Sequence, residues 1–404
     1  MKSITVFLER RYLKFENQYY VVGIENMNFF SRYLEVFDVV YVFSRCSVCS
    51  NLPNNAELVS NSNIVFIDTS LVSNYFEYIS LYNKLIPKES VLLMRIPGLF
   101  TFFSMTLSVV FSRKFSLEMV TDPIQEVSCL IDKSIISKTK LNRLLLKFVS
   151  LVTRVGLNQS VAASFVTKHE LQDRYLVNKW TEQGKYAFSY SSINLPSCDL
   201  VSKKYLLENS FNYRNKIDHS DDITLLFVGA LDKDFKGLDI FIDILEMLPD
   251  NYKGVVMGDG ILRQSYENRS KYLISCGRIK FLGYINNVQE KLDVFMSSDL
   301  FISCSKREGL PRVVIEAMAK GIPVISSEVS GINELIEKKY IFSQGDSKAA
   351  VKLILGLTYG DYLSSSMINL DRATDYTIER LAKNRISFYK YISARDDEKK
   401  HSDG

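Results

Sequence analysis

The sequence predicts an α/β protein with two doubly wound domains and a ligand cleft between them. Its 404 residues suffice for roughly two domains of ordinary size, each with its own core. The composition, 47% hydrophobic and 24% charged, is that of a globular chain with a large apolar interior. Short runs rich in β-branched and aromatic residues alternate with longer helical patterns. Apolar strands separated by helices indicate parallel sheets that are covered on both faces.

The candidate strands fall into two groups, one in each half of the chain. Those of the first half are Ile4–Leu8, Val39–Phe43, Asn63–Ile67, Val91–Met94, Ser116–Val120 and Ala162–Val166. Those of the second half are Thr224–Val228, Gly254–Met257, Ile279–Leu282, Leu300–Ser303 and Val324–Ser326. Residues 191–222 between the groups are polar and weakly periodic, which suits an interdomain connection. We therefore expect domains at residues 1–205 and 206–390 and a polar, frayed tail at 391–404.

The charge and the hydropathy of the sequence exclude several classes of function. The net charge of +4 is too small for nucleic-acid binding across the whole surface, although it leaves room for one local basic patch. The first apolar stretch ends at Leu8, too early for a signal peptide, so we expect the chain in the cytoplasm. The uncharged run between Arg95 and Arg113 is barely long enough to cross a bilayer, and Pro97 and Gly98 interrupt it. We favour a strand end followed by a buried helix over a transmembrane helix.

The cysteines do not indicate a disulfide framework, because six of them are scattered through a long chain without a secretion signal. Cys46 and Cys49 form a Cys-x-x-Cys pair, which is typical of zinc knuckles and redox pairs. A zinc site would need a second close pair, which this sequence lacks. We favour two cysteines in a loop.

Phosphate-binding signals follow the strands of the second half, whose carboxyl ends should border the cleft. Gly229 ends one strand, and Lys236 and Gly237 follow just before a helix. A lysine there can reach a diphosphate, although a solvated loop lysine is the simpler interpretation. The next strand ends in Gly258-Asp-Gly, but Arg263 replaces the third glycine of a dinucleotide fingerprint. A nicotinamide dehydrogenase is therefore disfavoured.

The strongest segment runs from Ser303 to Pro323. A strand ends at Ser303, a loop carries Glu308, and Pro311 begins a helix that Gly321 closes. Such a helix start aims free backbone N–H groups at a phosphate in the cleft. Glu316 follows Glu308 by eight positions, so both carboxylates could face one ligand at different heights.

These motifs resemble a known family. EGLPRVVIEAMAKGIPVISSEVSGINELI, VGALDKDFKGLDIFID, VVMGDGILR and FLGYINNVQEKLDVFMSSDLFISCS look like the nucleotide-sugar domain of the retaining glycosyltransferases of family 4. The resemblance is close over residues 222–340 and implies the GT-B fold of two Rossmann-like domains. The runs from Phe30 to Val42, from Arg95 to Gly98 and from Glu118 to Pro123 resemble more loosely the acceptor domains of members that build bacterial surface polysaccharides.

The resemblance implies roles for individual residues. Glu308 would contact the donor sugar, Glu316 the nucleotide ribose, and Lys236 the diphosphate. The remaining donor-binding positions that it implies are Gly229, Gly237, Gly258, Asp259, Gly309, Leu310, Pro311 and Arg312. The partners so implied are a nucleotide-sugar donor and a glycan or lipid-linked acceptor.

Two departures from the family pattern stand out. Ala230 occupies a position where the family usually has a phosphate-binding arginine, so Lys233, Arg307 or Arg312 would have to compensate. The usual histidine of the first domain is also absent. Asp122, at a strand end before a proline, is the candidate catalytic substitute, and the alternative is an ordinary turn residue.

The mechanism that the resemblance implies is same-face attack, in which the departing diphosphate helps to deprotonate the acceptor hydroxyl. Lys236 and the helix start near Pro311 would stabilise the charge on that diphosphate, without a metal or another cofactor. Asp232-Lys-Asp234 spells the D-x-D of metal-dependent transferases, but we interpret it as coincidental in this loop.

A helix in the first half has two possible environments. Between Lys140 and Val155 an apolar stripe contains Leu141, Leu144, Leu145, Phe148, Val152 and Val155. The basic residues between Asp132 and Val155 are Lys133, Lys138, Lys140, Arg143, Lys147 and Arg154. The helix could lie on anionic lipid at the inner face of the cell membrane. Equally, it could be a domain helix with its apolar face in the core.

Two other functions remain open at this point. A nucleotide-sugar epimerase of the same shape would need acid and base groups on both faces of the sugar, and the sequence offers no histidine at a convincing cleft position. An inactive sugar-nucleotide-binding protein would account for the missing arginine at Ala230.

Overall fold

A computed structural model describes residues 1–404 except 23–24, 54–55, 71, 73, 134–139, 176, 178–179, 181–184 and 401–404. The side chains of residues 129–133, 140–141 and 396–400 are also outside the description. The chain divides into two compact units. Unit 1 comprises Met1–Ser191 and Ala382–Gly404, and unit 2 comprises Ser192–Leu381.

Unit 1 is built on a mostly parallel sheet. Its strands are β1 (Ser3–Phe15), β2 (Gln18–Val21), β3 (Val39–Val48), β4 (Glu57–Val59), β5 (Ile64–Asp68), β6 (Val91–Ile96), β7 (Phe115–Met119), β8 (Ala163–Phe165) and β9 (Ala187–Ser189). The parallel strands lie in the order β5-β3-β1-β6-β7-β8-β9. From β1 the chain adds β3 and β5 on one side and then β6 to β9 on the other, so the strand order reverses between β1 and β6. Past Phe7 the register of β1 against β3 shifts, and the second half of β1 also pairs with the antiparallel strand β2, which in turn pairs with β4.

The helices of unit 1 cover both faces of this sheet. They are α1 (Met27–Leu34), α2 (Tyr75–Leu85), α3 (Leu99–Val110), α4 (Pro123–Lys133), α5 (Lys140–Gln159), α6 (Glu170–Arg174) and most of α16 (Ile378–Lys400). Because parallel crossovers are right-handed, α2, α3 and α5 lie on the same face. The core on that face contains Tyr82 of α2, Met105 of α3 and Leu157 of α5.

Unit 2 carries a fully parallel sheet. Its strands are β10 (Ile223–Val228), β11 (Tyr252–Met257), β12 (Ile279–Gly283), β13 (Leu300–Ser303), β14 (Val324–Ser327) and β15 (Ile341–Phe342). Their order is β12-β11-β10-β13-β14-β15, the strand order of a Rossmann domain. Its helices are α7 (Lys203–His219), α8 (Leu238–Met247), α9 (Arg263–Arg269), α10 (Lys271–Ser275), α11 (Val288–Met296), α12 (Arg312–Ala319), α13 (Ile332–Leu335), α14 (Ser347–Leu355) and α15 (Tyr359–Ala373).

Every strand that the sequence indicated is present, and the predicted pair of doubly wound α/β sheets is confirmed. Four further strands, β2, β4, β9 and β15, were not foreseen. They contain two to four residues each, too few for periodicity to distinguish them from loops.

The unit boundary lies earlier than residue 205, because residues 203–219 form α7 instead of a linker. Tyr213 of α7 stacks on Tyr362 of α15 with ring centroids 4.2 Å apart, which ties the helix to unit 2. Unit 2 also ends earlier than residue 390, since α16 passes into unit 1 at Ala382.

The expected polar tail is helical as far as Lys400. Before it, Tyr389 of α16 stacks on Tyr33 of α1 with centroids 4.9 Å apart, and Phe388 contacts Phe188 of β9. The last four residues lie outside the described part of the chain.

The uncharged run after Arg95 forms the end of β6 and then α3, as expected, but α3 is not a buried helix. The exposed fractions of Leu99 and Val110 are 85% and 68%. Among the described residues, no helix combines the length and apolar character needed to span a bilayer.

The Cys-x-x-Cys pair does not lie in a loop. Cys46 is a buried residue of β3, and only Cys49 follows the strand. Burial, reinforced by the Asp68 carboxylate, raises the pKa of Cys46 to about 12. Its thiol therefore stays protonated at neutral pH, which disfavours both metal binding and redox exchange.

Candidate active site

The site forms where the strand order of unit 2 reverses. The chain leaves β10 towards β11 on one side and leaves β13 towards β14 on the other, so the two strand ends are adjacent while their connections diverge. Ligands of open α/β sheets bind in the crevice that this reversal creates. Two segments border it: residues 229–237, here called the lysine loop, and residues 304–311, here called the glutamate loop.

An ion pair joins these two loops. Lys236 Nζ lies 2.5 Å from Glu308 Oε1, and both side chains are largely buried. Ser305 donates its hydroxyl to the same oxygen over 3.0 Å. The backbone supports the pairing, since Lys306 N donates to Phe235 O at 2.7 Å. The structure therefore brings together Lys236 and Glu308, which the sequence separates by 72 positions.

Glycines allow the loops at this edge to approach closely. Gly237 has a φ of +73°, and a Cβ there would lie 2.0 Å from the carbonyl oxygen of Cys304 in the glutamate loop. Gly258, after β11, has a φ of +144°, and its Cβ would lie 1.9 Å from Gly229 O. Any other residue at these positions would separate the strand ends.

Helix α12 begins at the end of the glutamate loop. Pro311 is its N-cap and offers no side-chain hydrogen bond to the first turn, and Leu310 and Pro311 are buried beneath it. Arg312 is the first helical residue and is exposed. The helix therefore begins and ends where Pro311 and Gly321 predicted, and anion binding at its N-terminus stays a prediction.

Glu316 is the fifth residue of α12 and is only partly exposed. Lys291 of α11 places its Nζ 2.6 Å from Glu316 Oε2. Glu316 and Glu308 thus each pair with a lysine from a different element. Lys291 was missed in the sequence because nothing in its local pattern connects it to a glutamate 25 positions later.

The loop after β11 is held by its own charges. Asp259 is half-exposed, accepts a hydrogen bond from Gly260 N at 2.8 Å and pairs with Arg263 over 3.1 Å. Arg263, the residue that replaces the fingerprint glycine, also pairs with Glu267 over 2.7 Å. The arginine therefore stabilises the loop and the first turn of α9.

Further cations surround the lysine loop. Lys306 pairs with Asp239 at 3.0 Å and with Asp234 at 3.7 Å. The guanidinium of Arg307 and the ammonium of Lys236 each lie 5.4 Å from the centre of the Phe235 ring. Asp234 of the D-x-D sequence is thus already paired with a lysine.

Asp122 is a helix cap. Its side chain is fully buried, and it accepts hydrogen bonds from Ile124 N at 3.0 Å and from the Tyr175 hydroxyl at 2.7 Å. It also pairs with Arg174. These contacts account for an aspartate before Pro123 at the start of α4, and a catalytic role for Asp122 stays a prediction.

Unit 1 contains a charged cavity that the strand and helix patterns did not predict. A cavity of about 670 Å³ lies near the carboxyl ends of β6 and β7, beside the middle of β1. Arg95 in its wall pairs with Glu118 at 2.6 Å and with Glu25 at 3.3 Å. Burial alone would lower the pKa of Arg95, but the carboxylates outweigh it and raise the pKa. Two runs that loosely resemble the acceptor domain, Arg95–Gly98 and Glu118–Pro123, contribute to this region.

Comparisons with known proteins identify the fold and the chemistry. Residues 209–369, which contain both loops and α12, match the family described as glycosyl transferases group 1. This chain is a glycosyltransferase with a group 1 domain. The predicted glycosyltransferase is thereby confirmed.

Relatives of this glycosyltransferase include two bacterial proteins. Protein CapJ of Staphylococcus aureus is 22% identical over 354 residues, which are 84% of this chain and 82% of that protein. The amylovoran biosynthesis glycosyltransferase AmsK of Erwinia amylovora is 28% identical over 176 residues, which are 40% of this chain and 42% of that protein. AmsK is thus matched over less than half of its length.

The glycosyltransferase also resembles solved structures along its whole length. HepE of Anabaena, in complex with UDP, aligns with a TM-score of 0.60 and 14% identity over 96% of this chain and 100% of that one. The fold is therefore GT-B, as the motifs implied.

We expect Asp122→Ala to reduce the free energy of unfolding by about 1–2 kcal/mol, because the mutation removes the cap and leaves the buried Tyr175 hydroxyl without its acceptor. Asp122→Asn retains an acceptor oxygen and should cost less. Chemical denaturation measures both, with Asp218→Ala in α7 as an exposed control. Unchanged stability with abolished transfer would contradict the capping role and support the predicted catalytic role of Asp122.

Proposed function

We propose that this protein is a retaining glycosyltransferase that moves a sugar from a nucleotide-sugar donor to a glycan or lipid-linked acceptor. The observation that supports this most is the Lys236–Glu308 pair beside the start of α12. It combines a cation, a carboxylate and a helix N-terminus without a side-chain cap at the crevice where an α/β sheet binds ligands. The solved HepE complex contains UDP, which favours a nucleotide-linked donor here as well.

The donor would engage both loops. A diphosphate at the start of α12 would compete with Glu308 for the Lys236 ammonium, because a lysine pairs readily with phosphate oxygens. Glu308, released in part from Lys236, could then accept a hydrogen bond from a sugar hydroxyl. Glu316, held by Lys291, would accept hydrogen bonds from the ribose. The glycines at 229, 237, 258 and 309 would let the ligand approach the backbone.

Transfer would proceed on one face of the sugar. The bond between the anomeric carbon and the diphosphate oxygen breaks, and its electron pair stays on the diphosphate. The acceptor oxygen bonds to the anomeric carbon and gives its proton to the departing diphosphate. Lys236 and the helix N–H groups stabilise the negative charge that develops.

We propose that transfer needs no metal ion, because cationic side chains of the protein itself lie around the lysine loop. Lys306 pairs with Asp234, so the second carboxylate of the D-x-D sequence is already neutralised. Arg307, beside Phe235, and the exposed Arg312 are the arginines placed to compensate for Ala230.

The acceptor is a growing bacterial surface polysaccharide or its lipid-linked precursor. The name of AmsK, an amylovoran biosynthesis glycosyltransferase, supports this context. We place the protein in the cytoplasm, at the inner face of the cell membrane.

Contact with anionic membrane through α5 completes the proposal. The exposed fractions of Leu144, Phe148 and Val155 are 62%, 62% and 46%, so much of the apolar stripe faces away from the core. Val152 instead packs against the core. Arg143, Lys147 and Arg154 are exposed, and α5 contains no acidic residue. Lys138, counted among the basic residues, lies outside the described part of the chain.

An assay with a panel of sugar nucleotides tests the reaction class. Nucleotide released only when an acceptor is present supports transfer. A changed sugar without an acceptor would indicate an epimerase, and no reaction with any donor would leave an inactive binding protein.

We expect Lys236→Ala and Glu316→Gln each to weaken nucleoside diphosphate binding at least about tenfold, because each removes a charged partner worth about 1.5–3 kcal/mol. Isothermal titration calorimetry on the folded variants measures the affinity. Lys253→Ala, at the amino end of β11, is the control and should bind as the wild type does. Unchanged affinity in either site variant would remove that residue from the site.

Glu308→Gln should reduce turnover strongly and leave nucleoside diphosphate binding nearly intact, because its proposed contact is with the sugar. The glutamine amide retains an oxygen that can accept the hydrogen bond from the Ser305 hydroxyl, so the glutamate loop should keep its conformation. Steady-state kinetics and calorimetry on the same preparation separate the two effects. A parallel fall in both would mean that Glu308 only holds the glutamate loop in place.

Replacing Lys140, Arg143 and Lys147 together by glutamine should abolish sedimentation with anionic vesicles. Each basic residue near such a surface contributes about 1 kcal/mol, and salt screens the attraction over roughly 8–10 Å. The matched control replaces three exposed lysines of unit 2, Lys203, Lys204 and Lys271. Equal vesicle binding by both triple variants, or no vesicle binding by the wild type at low salt, would contradict the proposed membrane contact.

A further inference from the structure

Two arginines of unit 1, Arg32 and Arg385, take no part in the proposed donor reaction. Arg385 lies on α16 and is only 7% exposed, and Arg32 lies in the last turn of α1 and is half-buried. Within the part of the chain whose side chains are described, neither guanidinium forms a hydrogen bond or an ion pair, and Arg385 Nε is buried. Burial of an arginine is costly without an anionic partner, because its charge loses hydration.

Stacked aromatic rings hold this arginine pair together. Tyr33, the residue after Arg32, stacks on Tyr389 with ring centroids 4.9 Å apart. Arg385 precedes Tyr389 by four residues, so both side chains lie on the same face of α16. The guanidinium of Arg385 also lies over the Tyr190 ring, 5.5 Å from its centre. The stack therefore fixes Arg385 on α16 beside Arg32 on α1.

The charges of the arginine pair repel each other. Burial and the neighbouring Arg385 guanidinium lower the pKa of Arg32 below its usual value, against smaller opposing effects that include the charge of Glu118. Glu118 is already engaged by Arg95 at 2.6 Å and by the Tyr190 hydroxyl at 2.7 Å. Arg95 balances the charge of Glu118, so two positive charges remain without a counter-charge among the described residues.

Acidic residues close in sequence do not neutralise the arginine pair. Glu35 follows Arg32 by three positions, but it is exposed and forms no ion pair with it. Glu379 of α16 belongs to unit 2 and accepts a hydrogen bond from the Ser197 hydroxyl at 2.6 Å. Two guanidinium groups match an oxyanion with two negative charges better than a carboxylate with one, and their planar N–H groups suit phosphate oxygens.

We infer that unit 1 binds a phosphate dianion between α1 and α16, held by Arg32 and Arg385. The anion links α16, which enters unit 1 only at Ala382, to a helix from the start of the chain. Both arginines belong to unit 1, whereas the two donor loops belong to unit 2. The anion therefore stabilises the packing of unit 1 and takes no part in sugar transfer.

Thermal unfolding of the full-length protein in inorganic phosphate tests the site. As phosphate replaces chloride at constant ionic strength, the melting temperature should rise and then saturate, because the anion binds only the folded state. We expect a rise of about 2–6 °C once phosphate exceeds its Kd tenfold. Sulfate should act similarly, while acetate, which carries one charge, should have little effect.

Arg385→Met removes the charge and keeps an unbranched side chain over Tyr190. In chloride this variant should be at least as stable as the wild type, because an apolar side chain replaces a buried cation that lacks an anionic partner. In phosphate it should melt below the wild type, since the response to the anion is lost. Lys383→Met, at an exposed lysine of the same helix, is the control and should respond as the wild type does.

Arg32→Met tests the site independently of the tight packing around Arg385, because Arg32 is only half-buried. It should also lose most of the phosphate response. Glycerol 3-phosphate in place of inorganic phosphate identifies the source of the anion. An equal or larger response to the ester supports a phosphorylated metabolite as the ligand, and a response to inorganic phosphate alone supports the free ion.

Hydrogen–deuterium exchange locates the bound anion. Phosphate should slow exchange in residues 27–34 and 382–395 of the wild type and should not do so in Arg385→Met. Protection of residues 229–237 and 304–311 instead, lost in Lys236→Ala and kept in Arg385→Met, would place the phosphate in the donor site and overturn the inference. Nucleoside diphosphate affinity should be the same in the wild type and both arginine variants, so the glycosyltransferase proposal is tested separately.

Two further results would contradict the site. One is an equal rise in melting temperature for the wild type and Arg385→Met as phosphate is added. The other is a lower stability of Arg385→Met in every buffer, which would mean that Arg385 stabilises unit 1 through its contact with Tyr190 and needs no anion.

Discussion

The close approach of strand ends in unit 2 is the constraint on which the donor site depends. Parallel strands bring several loops to one edge, and each loop must pass its neighbour without a collision. Gly237 meets the Cys304 carbonyl and Gly258 meets the Gly229 carbonyl, so backbone lies directly against backbone at two points. This contact brings the lysine loop and the glutamate loop within reach of each other, and the Lys236–Glu308 pair follows from it. A larger residue at either glycine would strain the backbone locally, and it would also move Lys236 away from the crevice.

Much of this arrangement could be predicted from the sequence. Long apolar runs marked the principal strands, and Pro311 and Gly321 marked α12, because strand and helix signals are local. Ion-pair partners are not local. Lys291 and Ser305 acquire their roles only through the fold, and the same holds for Glu118 beside Arg95. The apolar pattern of α3 was equally ambiguous, since composition alone does not distinguish a helix in the core from one with an outward apolar face.

A buried charge network organises the interior of unit 1. Glu118 pairs with Arg95 and accepts a hydrogen bond from the Tyr190 hydroxyl at 2.7 Å. Burial raises the pKa of Tyr33, Tyr190 and Tyr389 well above the usual value, so all three stay neutral. Groups of this kind are costly to bury unless their partners are fixed, so the network favours one arrangement of strands and helices over others. The same network holds Arg95 in place in the wall of the cavity.

The path of α16 has a consequence for synthesis of the chain. Residues from Ala382 onwards belong to unit 1, where Tyr389 stacks on Tyr33 and Phe388 packs on Phe188. The ribosome makes these residues after all of unit 2, so unit 1 emerges first but cannot complete its packing until α16 has been made. Unit 2, which is continuous in sequence, can fold in a single stretch. During synthesis the exposed apolar surface of unit 1 must therefore persist longer than its position at the start of the chain suggests.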